Sequence, residues 1–286
     1  MTLKRYCRLI ALSTLFRIFY IILAKISHKT FESFDKSTNL IRPKYFEYLL
    51  RWDAVYFLEI CTKWYYSEHH LAFFPLLPLL IKLILAIFSI ENSCSSCLVT
   101  GVLVNNFLFV CNTVLLYKIT KKRYDAYVAE VVSLFYMINP SSIIFSSFYS
   151  DSLYMFLFLT FFITLEKESK SMVNTILKCS SLALMSLTRS NSILNVLFFV
   201  RIPVDLNDLI LNVAYILATV VPFILFQLYS YKTMKLDNFT VPYSYIQSNY
   251  WDQGFLKFYF DRKNIPNFLV GFPFVIFGLH SFFSFF

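Results

Sequence analysis

Glycine and charged residues are scarce in this sequence. Among 286 residues there are 4 glycines, and 15% of residues are charged whereas 58% are hydrophobic. Soluble domains carry about 25% charged and about 45–50% apolar residues. A soluble domain of this size could not bury so much apolar surface, because most of its residues still meet water. The composition therefore predicts an integral membrane protein.

Other scarcities exclude further classes of protein. Six cysteines are too few for a secreted disulfide scaffold of this length, and the high hydrophobicity excludes a disordered chain. The lack of glycine argues against a transporter, which usually needs small residues where helices cross and break. There is no glycine-rich phosphate loop, nucleophile elbow or zincin helix, so the nucleotide chemistry of soluble enzymes is not expected.

The sequence has more basic than acidic residues. There are 26 Lys and Arg residues against 17 Asp and Glu residues, a formal net charge of +9. Lys and Arg typically flank membrane helices on the cytoplasmic side. No basic stripe with interleaved aromatics stands outside an apolar run, so we expect no nucleic acid partner.

Apolar runs predict an all-α polytopic bundle of eight or nine transmembrane helices, in a single domain over residues 1–286. A helix needs about 20 apolar residues to cross the bilayer core. The predicted spans, some of them short, are residues 6–24, 72–90, 97–117, 126–138, 141–165, 171–187, 190–200, 209–231 and 264–286. Residues 25–71 and 232–263 are too polar to cross, and their Trp and Tyr content predicts partly helical luminal loops at the interface.

The orientation of the spans is contradictory in one region. Basic residues before the first span place the N-terminus in the cytosol, and residues 121–123 also favour the cytosol. Simple counting of spans puts residues 121–123 on the opposite side. One resolution is that residues 72–90, which contain two prolines, enter the membrane and return on the same side. Asn238 begins a glycosylation sequon, which would make its loop luminal if it is used.

Charged residues next to apolar sequence are the candidates for chemistry. Asp53 follows Arg51 and Trp52 in a segment with amphipathic character. It is either a general base at the membrane face or part of an interfacial ion pair. Asp151 lies within an apolar run, where a carboxylate is costly unless it faces a cavity or a partner. The alternative is a residue just outside the membrane at the start of a helix. Arg189 stands between two apolar runs and is either an ordinary loop residue or a phosphate ligand, which its planar guanidinium suits.

Two further motifs have a structural and a chemical interpretation. Glu68 and His69 precede an apolar helix. They are either exposed surface residues or residues that line a binding site. Because neighbouring side chains point in different directions, we expect no metal site there. Cys94 and Cys97 have redox spacing without a thioredoxin-like context, so we expect no redox function, and the other cysteines are expected to be inert.

Together these segments resemble the family of GPI mannosyltransferase 2, the PIG-V type. The matching segments follow the family order and are Arg51-Trp52-Asp53-Ala54 with Tyr56-Phe57-Leu58, Glu68-His69, Ala72-Phe73-Phe74-Pro75-Leu76-Leu77-Pro78, Asn139-Pro140-Ser141-Ser142-Ile143 with Phe145-Ser146, Tyr149-Ser150-Asp151-Ser152-Leu153, Thr188-Arg189-Ser190-Asn191, Pro242-Tyr243-Ser244-Tyr245-Ile246-Gln247, Tyr250-Trp251, Gly254-Phe255-Leu256 and Ile265-Pro266-Asn267-Phe268-Leu269. None is specific alone, and their joint occurrence carries the resemblance.

The resemblance implies a GT-C glycosyltransferase of the endoplasmic reticulum membrane with its active site facing the lumen. Such an enzyme transfers mannose from dolichyl-phosphate mannose to the first mannose of a GPI precursor, in α-1,6 linkage and with inversion. It implies no cofactor and no metal, and it leaves room for a small accessory membrane subunit. Two departures stand out: Asp151 replaces a Glu that is frequent in relatives, and the chain is short and expected to lack terminal helices.

The resemblance also implies roles for individual residues. Asp53 is the expected general base, and Arg189, with Arg51 behind it, is expected at the leaving phosphate. The other expected substrate-binding residues are Trp52, Glu68, His69, Asn139, Ser150, Asp151, Asn191, Gln247, Tyr250 and Trp251. Alternatives are another dolichyl-phosphate-mannose-dependent mannosyltransferase of this class, a non-catalytic membrane assembly subunit and a lipid transporter.

Overall fold

The computed structural model describes residues 2–32, 43–165, 171–198, 203–234, 240–254 and 256–285. In these ranges every regular element is a helix, as predicted. The α-helices are α1 Thr2–Thr30, α2 Asp53–Lys63, α3 Leu76–Ile87, α4 Cys94–Arg123, α5 Ala126–Met137, α6 Asp151–Leu165, α7 Met172–Ser186, α8 Leu206–Met234, α9 Pro242–Trp251, α10 Lys257–Phe260 and α11 Ile265–Phe285. Short 3-10 helices cover Glu47–Leu49, Glu68–Ala72, Ser190–Phe198 and Arg262–Asn264.

In the described part of the chain, three helices are long and apolar enough to cross a membrane. They are α1 over Leu3–Thr30, α4 and α8, with 28, 30 and 29 residues. At 1.5 Å per residue each extends over about 40 Å, more than the hydrocarbon core of about 30 Å. The helices α3, α5 and α6 are apolar but shorter. The membrane character of the chain is therefore confirmed, and the total of eight or nine membrane helices stays a prediction.

The predicted span over residues 141–165 is wrong in its first part. Residues 139–150 form turns, and α6 begins only at Asp151. Pro140 and the serines of this segment favour turns, because Pro removes a backbone donor and Ser hydroxyls compete for backbone groups. In the predicted span over residues 190–200, Ser190–Phe198 is a 3-10 helix and not the predicted α-helix, and residues 199–200 lie outside the described residues.

The turn segment makes short-range backbone hydrogen bonds of its own, such as that from the Ser142 N–H to the Asn139 carbonyl over 2.9 Å. Side chains from α1 and α4 also hold it. Arg17 donates from Nη1 to the Ser142 carbonyl over 2.6 Å. Asn105 donates from Nδ2 to the Tyr149 carbonyl over 2.8 Å. Buried carbonyls require such partners. Arg17 is buried, and sequence patterns alone do not reveal this residue because it stands alone inside the first predicted span.

Contacts at the two ends of α4 show which parts of the chain lie on the same side of the helix bundle. Arg5 Nε lies 2.6 Å from Glu130 Oε1, and its Nη1 donates to the Tyr117 hydroxyl over 3.4 Å. At the other end of α4, the Lys44 backbone donates to Ser95 Oγ over 2.9 Å. The N-terminus and the basic end of α4 therefore share one side, and the first loop lies on the other.

This arrangement accounts for the contradiction in orientation. With 12 residues, α3 is about 18 Å long and too short to cross the hydrocarbon core. Just before α4, Asn92 donates from Nδ2 to the Cys61 carbonyl of α2 over 3.3 Å. The chain thus enters α4 from the side of the first loop, in keeping with a segment over residues 72–90 that does not cross.

The main apolar core lies between α2, α3, α4, α6 and α7. Its fully or almost fully buried residues include Leu58, Ile81, Val102, Phe161 and Leu182, one from each helix. The helices α1 and α8 stay largely exposed, since only 17% of the most apolar stretch of each is buried. The helix α2, which belongs to the first loop, packs into this core, and its first residue lies at the surface of a cavity.

Candidate active site

A cavity of about 510 Å³ opens between the beginnings of α2 and α6, the segment after α7, and α9. Seven residues predicted from the sequence line it: Trp52, Asp53, Ser150, Asp151, Arg189, Gln247 and Trp251. Tertiary structure thus brings together residues from four separate segments. Further lining residues that lie within the sequence motifs but were given no expected role are Tyr56, Phe73, Tyr149, Thr188, Ser190 and Tyr243. Gln253 also lines the cavity and lies outside those motifs.

Asp53 is the first residue of α2. The preceding residue, Trp52, has φ 52° and ψ −126°, a backbone conformation that residues other than glycine rarely adopt. This turn directs the chain into the helix and leaves both side chains at the cavity wall. The helix N-terminus carries partial positive charge, which stabilises a carboxylate at this position.

The surroundings of Asp53 suit a base. Asp53 is exposed to solvent from the cavity, and the partial desolvation by the cavity walls raises the pKa of Asp53 above its usual range. The positive charge of Arg189 lowers the pKa, and the negative charge of Asp151 raises it. A carboxylate with a raised pKa accepts a proton more readily than an ordinary carboxylate does.

Asp151 and Arg189 form an ion pair at the cavity wall. Arg189 Nη1 lies 2.6 Å from Asp151 Oδ1, and both side chains are about one-third exposed. Asp151 begins α6, and Arg189 follows α7, where its backbone N–H donates to the Met185 carbonyl over 3.1 Å. Both charged side chains border the cavity.

Aromatic side chains form the opposite wall. Tyr56 stacks on Phe73 with ring centroids 4.7 Å apart, and the edge of Trp251 faces Phe73 at 5.9 Å. The Ser190 hydroxyl donates to the Tyr243 hydroxyl over 2.9 Å, which joins the segment after α7 to α9. Aromatic walls with a few polar groups are typical of ligand sites.

Arg51 faces a second cavity, of about 670 Å³, which shares Trp52 and Tyr149 with the first. Its guanidinium donates to the Leu50 carbonyl over 2.7 Å and lies 3.2 Å from His28 Nδ1. The remaining walls come mainly from α1 and from the turns before α6. The two cavities are therefore neighbours, with an arginine beside each.

The other predicted residues lie outside the lining of the first cavity. Tyr250 donates its hydroxyl to Glu68 Oε2 over 3.0 Å, and its ring lies 5.8 Å from that of His69. Asn139 accepts a hydrogen bond from the Ser141 backbone within the turn segment, and Asn191 is exposed. The predicted glycosylation residue, Asn238, lies outside the described residues.

A second group of ionisable side chains lies beside Tyr56. Ligand atoms of Glu59, His69 and His70 lie within 4.8 Å of one another, and His70 Nε2 lies 2.8 Å from Glu59 Oε2. The hydrogen bond with His70 lowers the pKa of Glu59. The argument that neighbouring side chains diverge does not hold for these histidines, because their ring centroids are 4.5 Å apart. The expectation that no metal binds stays a prediction.

Comparison with known proteins agrees with the resemblance. The sequence profile of the mannosyltransferase family PIG-V matches residues 5–286. The chain belongs to the PIG-V mannosyltransferase family. No solved structure matches it.

Curated relatives in this family include GPI mannosyltransferase 2 of Drosophila pseudoobscura pseudoobscura, 28% identical over 80% of this chain and 61% of that protein. GPI mannosyltransferase 2 of Saccharomyces cerevisiae is 29% identical over 83% of this chain and 66% of its own length. GPI alpha-1,6-mannosyltransferase 2 of Homo sapiens is 27% identical over 80% and 56%. The chain thus spans about three-fifths of the length of the first of these relatives.

Proposed function

We propose that this chain is a mannosyltransferase of GPI-anchor biosynthesis. It transfers the second mannose, in α-1,6 linkage, from dolichyl-phosphate mannose to the mannosyl-glucosaminyl-phosphatidylinositol precursor. Family membership supports mannosyl transfer, and the names of the relatives support the GPI pathway and the linkage. The observation that carries the proposal is the cavity in which Asp53 lies with the Asp151–Arg189 ion pair and an aromatic wall.

The proposed reaction is a single displacement with inversion. Asp53 takes the proton from the 6-hydroxyl of the acceptor mannose while that oxygen attacks C1 of the donor mannose. The bond from C1 to the phosphate oxygen breaks, and dolichyl phosphate leaves with the electron pair. Arg189 stabilises the negative charge on the leaving phosphate, and Asp151 holds its guanidinium through the 2.6 Å contact.

The second cavity supports a place for the donor lipid. It adjoins the first at Trp52 and Tyr149, and its walls include the apolar side chains Leu23 and Phe31. Arg51 borders the same cavity. A donor that lies across both would have its sugar near Asp53, its phosphate between the two arginines and the first isoprene units against α1.

The positive-inside rule supports the orientation. The N-terminal basic residues and the basic end of α4 lie on one side of the bundle, which the rule favours as cytosolic. The first loop and the cavity would then face the lumen of the endoplasmic reticulum, where the lipid-linked donor would be used.

Complementation tests this proposal. Expressed in cells that lack the second GPI mannosyltransferase, the wild-type chain should restore surface GPI-anchored proteins and remove the one-mannose intermediate. Asp53→Asn should lower transfer by about 10²–10⁴-fold, the usual contribution of a general base. Asp125→Asn is the matched control, because Asp125 caps α5 at the basic end of the bundle and Asn caps equally well.

Two results would contradict the proposal. An abundant, membrane-inserted wild-type chain that leaves the one-mannose intermediate in place would exclude this acceptor. Near-normal transfer by Asp53→Asn would exclude Asp53 as the base. It would not contradict the proposed mannosyltransferase activity.

A further inference from the structure

Two cysteines from different helices meet in the core beneath the site. The Cys61 Sγ of α2 and the Cys97 Sγ of α4 lie 2.8 Å apart, and both residues are fully buried. Asn92 contacts both: its amide donates to the Cys61 carbonyl over 3.3 Å, and its Oδ1 accepts from the Cys97 thiol over 2.8 Å. The two sulfur atoms are thus held against each other in a packed environment.

The other four cysteines lack this arrangement. Cys7 is exposed on α1, and Cys94, Cys111 and Cys179 are half-buried. All six lie in described ranges, and the hydrogen bond between sulfur atoms is found for Cys61 and Cys97. The sequence motif Cys94-x-x-Cys97 pointed to a partner three residues away, whereas the partner that folding supplies for Cys97 is 36 residues earlier in the chain.

We propose that Cys61 and Cys97 form a disulfide bond that fastens α2 to α4. The pair lies at the end of α4 where Asn92 and the first loop are found. That end faces the lumen in the proposed orientation, and the lumen of the endoplasmic reticulum is a compartment in which disulfides form and persist. The inference shares this orientation with the proposed function and is otherwise independent of mannose transfer.

The oxidation balances as a thiol–disulfide exchange with a luminal dithiol oxidoreductase in its disulfide form. The thiolate of one cysteine attacks the disulfide of the oxidoreductase, and the second cysteine then displaces it from the mixed disulfide. Two S–H bonds of this chain are lost and one S–S bond is formed. The oxidoreductase receives two electrons and two protons and leaves as a dithiol. Because both cysteines are buried in the folded chain, the exchange takes place while α2 docks.

A bond at this place would hold the helix that carries Asp53. Asp53 and Cys61 lie on α2 about two turns apart, and α4 belongs to the main core. The cross-link would limit sliding of α2 along α4, which matters because catalytic groups must be held to within about 0.5 Å of their working positions.

Thiol counting on the full chain tests the proposal. Membranes are treated with N-ethylmaleimide at lysis to block free thiols, denatured, and labelled with a maleimide polymer before or after reduction. The wild type should gain two labels upon reduction. Cys61→Ser and Cys97→Ser should each gain none, and the neighbouring control Cys94→Ser should still gain two. Mass spectrometry of the non-reduced digest should find the peptides of Cys61 and Cys97 joined.

Two outcomes would overturn the inference. One is a wild-type chain with the same number of labels before and after reduction. The other is a reduction-dependent gain that disappears in Cys94→Ser and persists in Cys61→Ser, which would assign the bond to other residues. Neither readout depends on enzymatic activity, so a failure here is distinct from a failure of the proposed function.

Discussion

Tyr149 donates its hydroxyl to the Arg51 carbonyl over 3.0 Å. This hydrogen bond joins the turn before α6 to the turn before α2. Each of these helices begins with a carboxylate of the cavity, Asp151 for α6 and Asp53 for α2. The bond therefore ties together the two chain segments, about a hundred residues apart, that supply the acidic groups of the candidate site.

The charges next to Asp53 predict opposite shifts in the pH profile. The pKa of Asp53 is raised mainly by desolvation, lowered by Arg189 and raised by Asp151. Arg189→Gln should therefore move the acidic limb of the kcat/KM profile to higher pH, and Asp151→Asn should move it to lower pH. The pH at which the acidic limb falls is measured for mannosyl transfer in detergent. It reports the shift in the pKa of the base separately from any loss of maximal rate. Shifts of the same sign in both variants would contradict Asp53 as the titrating base.

The raised pKa of Asp53 also predicts a stability effect. The folded state then favours the protonated carboxyl, and this contribution to stability is present below the unfolded pKa of about 3.9 and is lost as pH rises through the folded pKa. At neutral pH, Asp53→Asn should unfold at a higher temperature than the wild type, although it is inactive. The difference in unfolding temperature between the variant and the wild type should become smaller as pH falls toward 4. Thermal unfolding in detergent at several pH values measures it, and a lower unfolding temperature at neutral pH would contradict the argument.

Gly101 on α4 allows a close approach by the turn segment. A Cβ at this position would lie 2.8 Å from Cδ2 of Phe148, which is fully buried. Gly101→Ala should destabilise the fold by about 1–3 kcal/mol, the usual cost of overpacking. Gly271→Ala on α11 is the matched control, because a methyl group there would have no atom within 4 Å, and it should be neutral or stabilising. Phe148→Leu should partly relieve Gly101→Ala; equal unfolding temperatures for the two alanine variants would contradict the close contact.

The position of α9 at the cavity predicts that this helix helps to bind the acceptor. Gln247 and Trp251 line the cavity, and the Tyr243 backbone of the same helix donates to Gln227 Oε1 of α8 over 3.0 Å. Removing both side chains with Gln247→Ala and Trp251→Ala should leave the protein abundant while the one-mannose GPI intermediate accumulates. Ser248→Ala is the control, because Ser248 is exposed on α9 and bonds only within that helix. Normal anchored products in the double variant would leave α9 with a purely structural role.

Much of the architecture was predictable from local sequence. Long apolar runs indicated the positions of α1, α4 and α8, because crossing a bilayer requires uninterrupted apolar helix. The turn segment before α6 was mistaken for helix because its hydrophobicity resembles that of a span. Its backbone is satisfied partly by local turn hydrogen bonds and partly by Arg17 and Asn105, which lie on other helices and whose contacts no local pattern reveals.

The sequence by itself determined that the chain is an apolar, helical member of a mannosyltransferase family, and it pointed to Asp53, Asp151 and Arg189 as separate candidates. Only the tertiary structure decided that these three border one cavity, that Arg51 faces a second, and that Cys61 is the neighbour of Cys97. Composition and hydrophobic runs act locally along the chain. Which distant side chains meet depends on how the helices pack and where irregular turns find their hydrogen-bond partners, and that is a property of the folded chain.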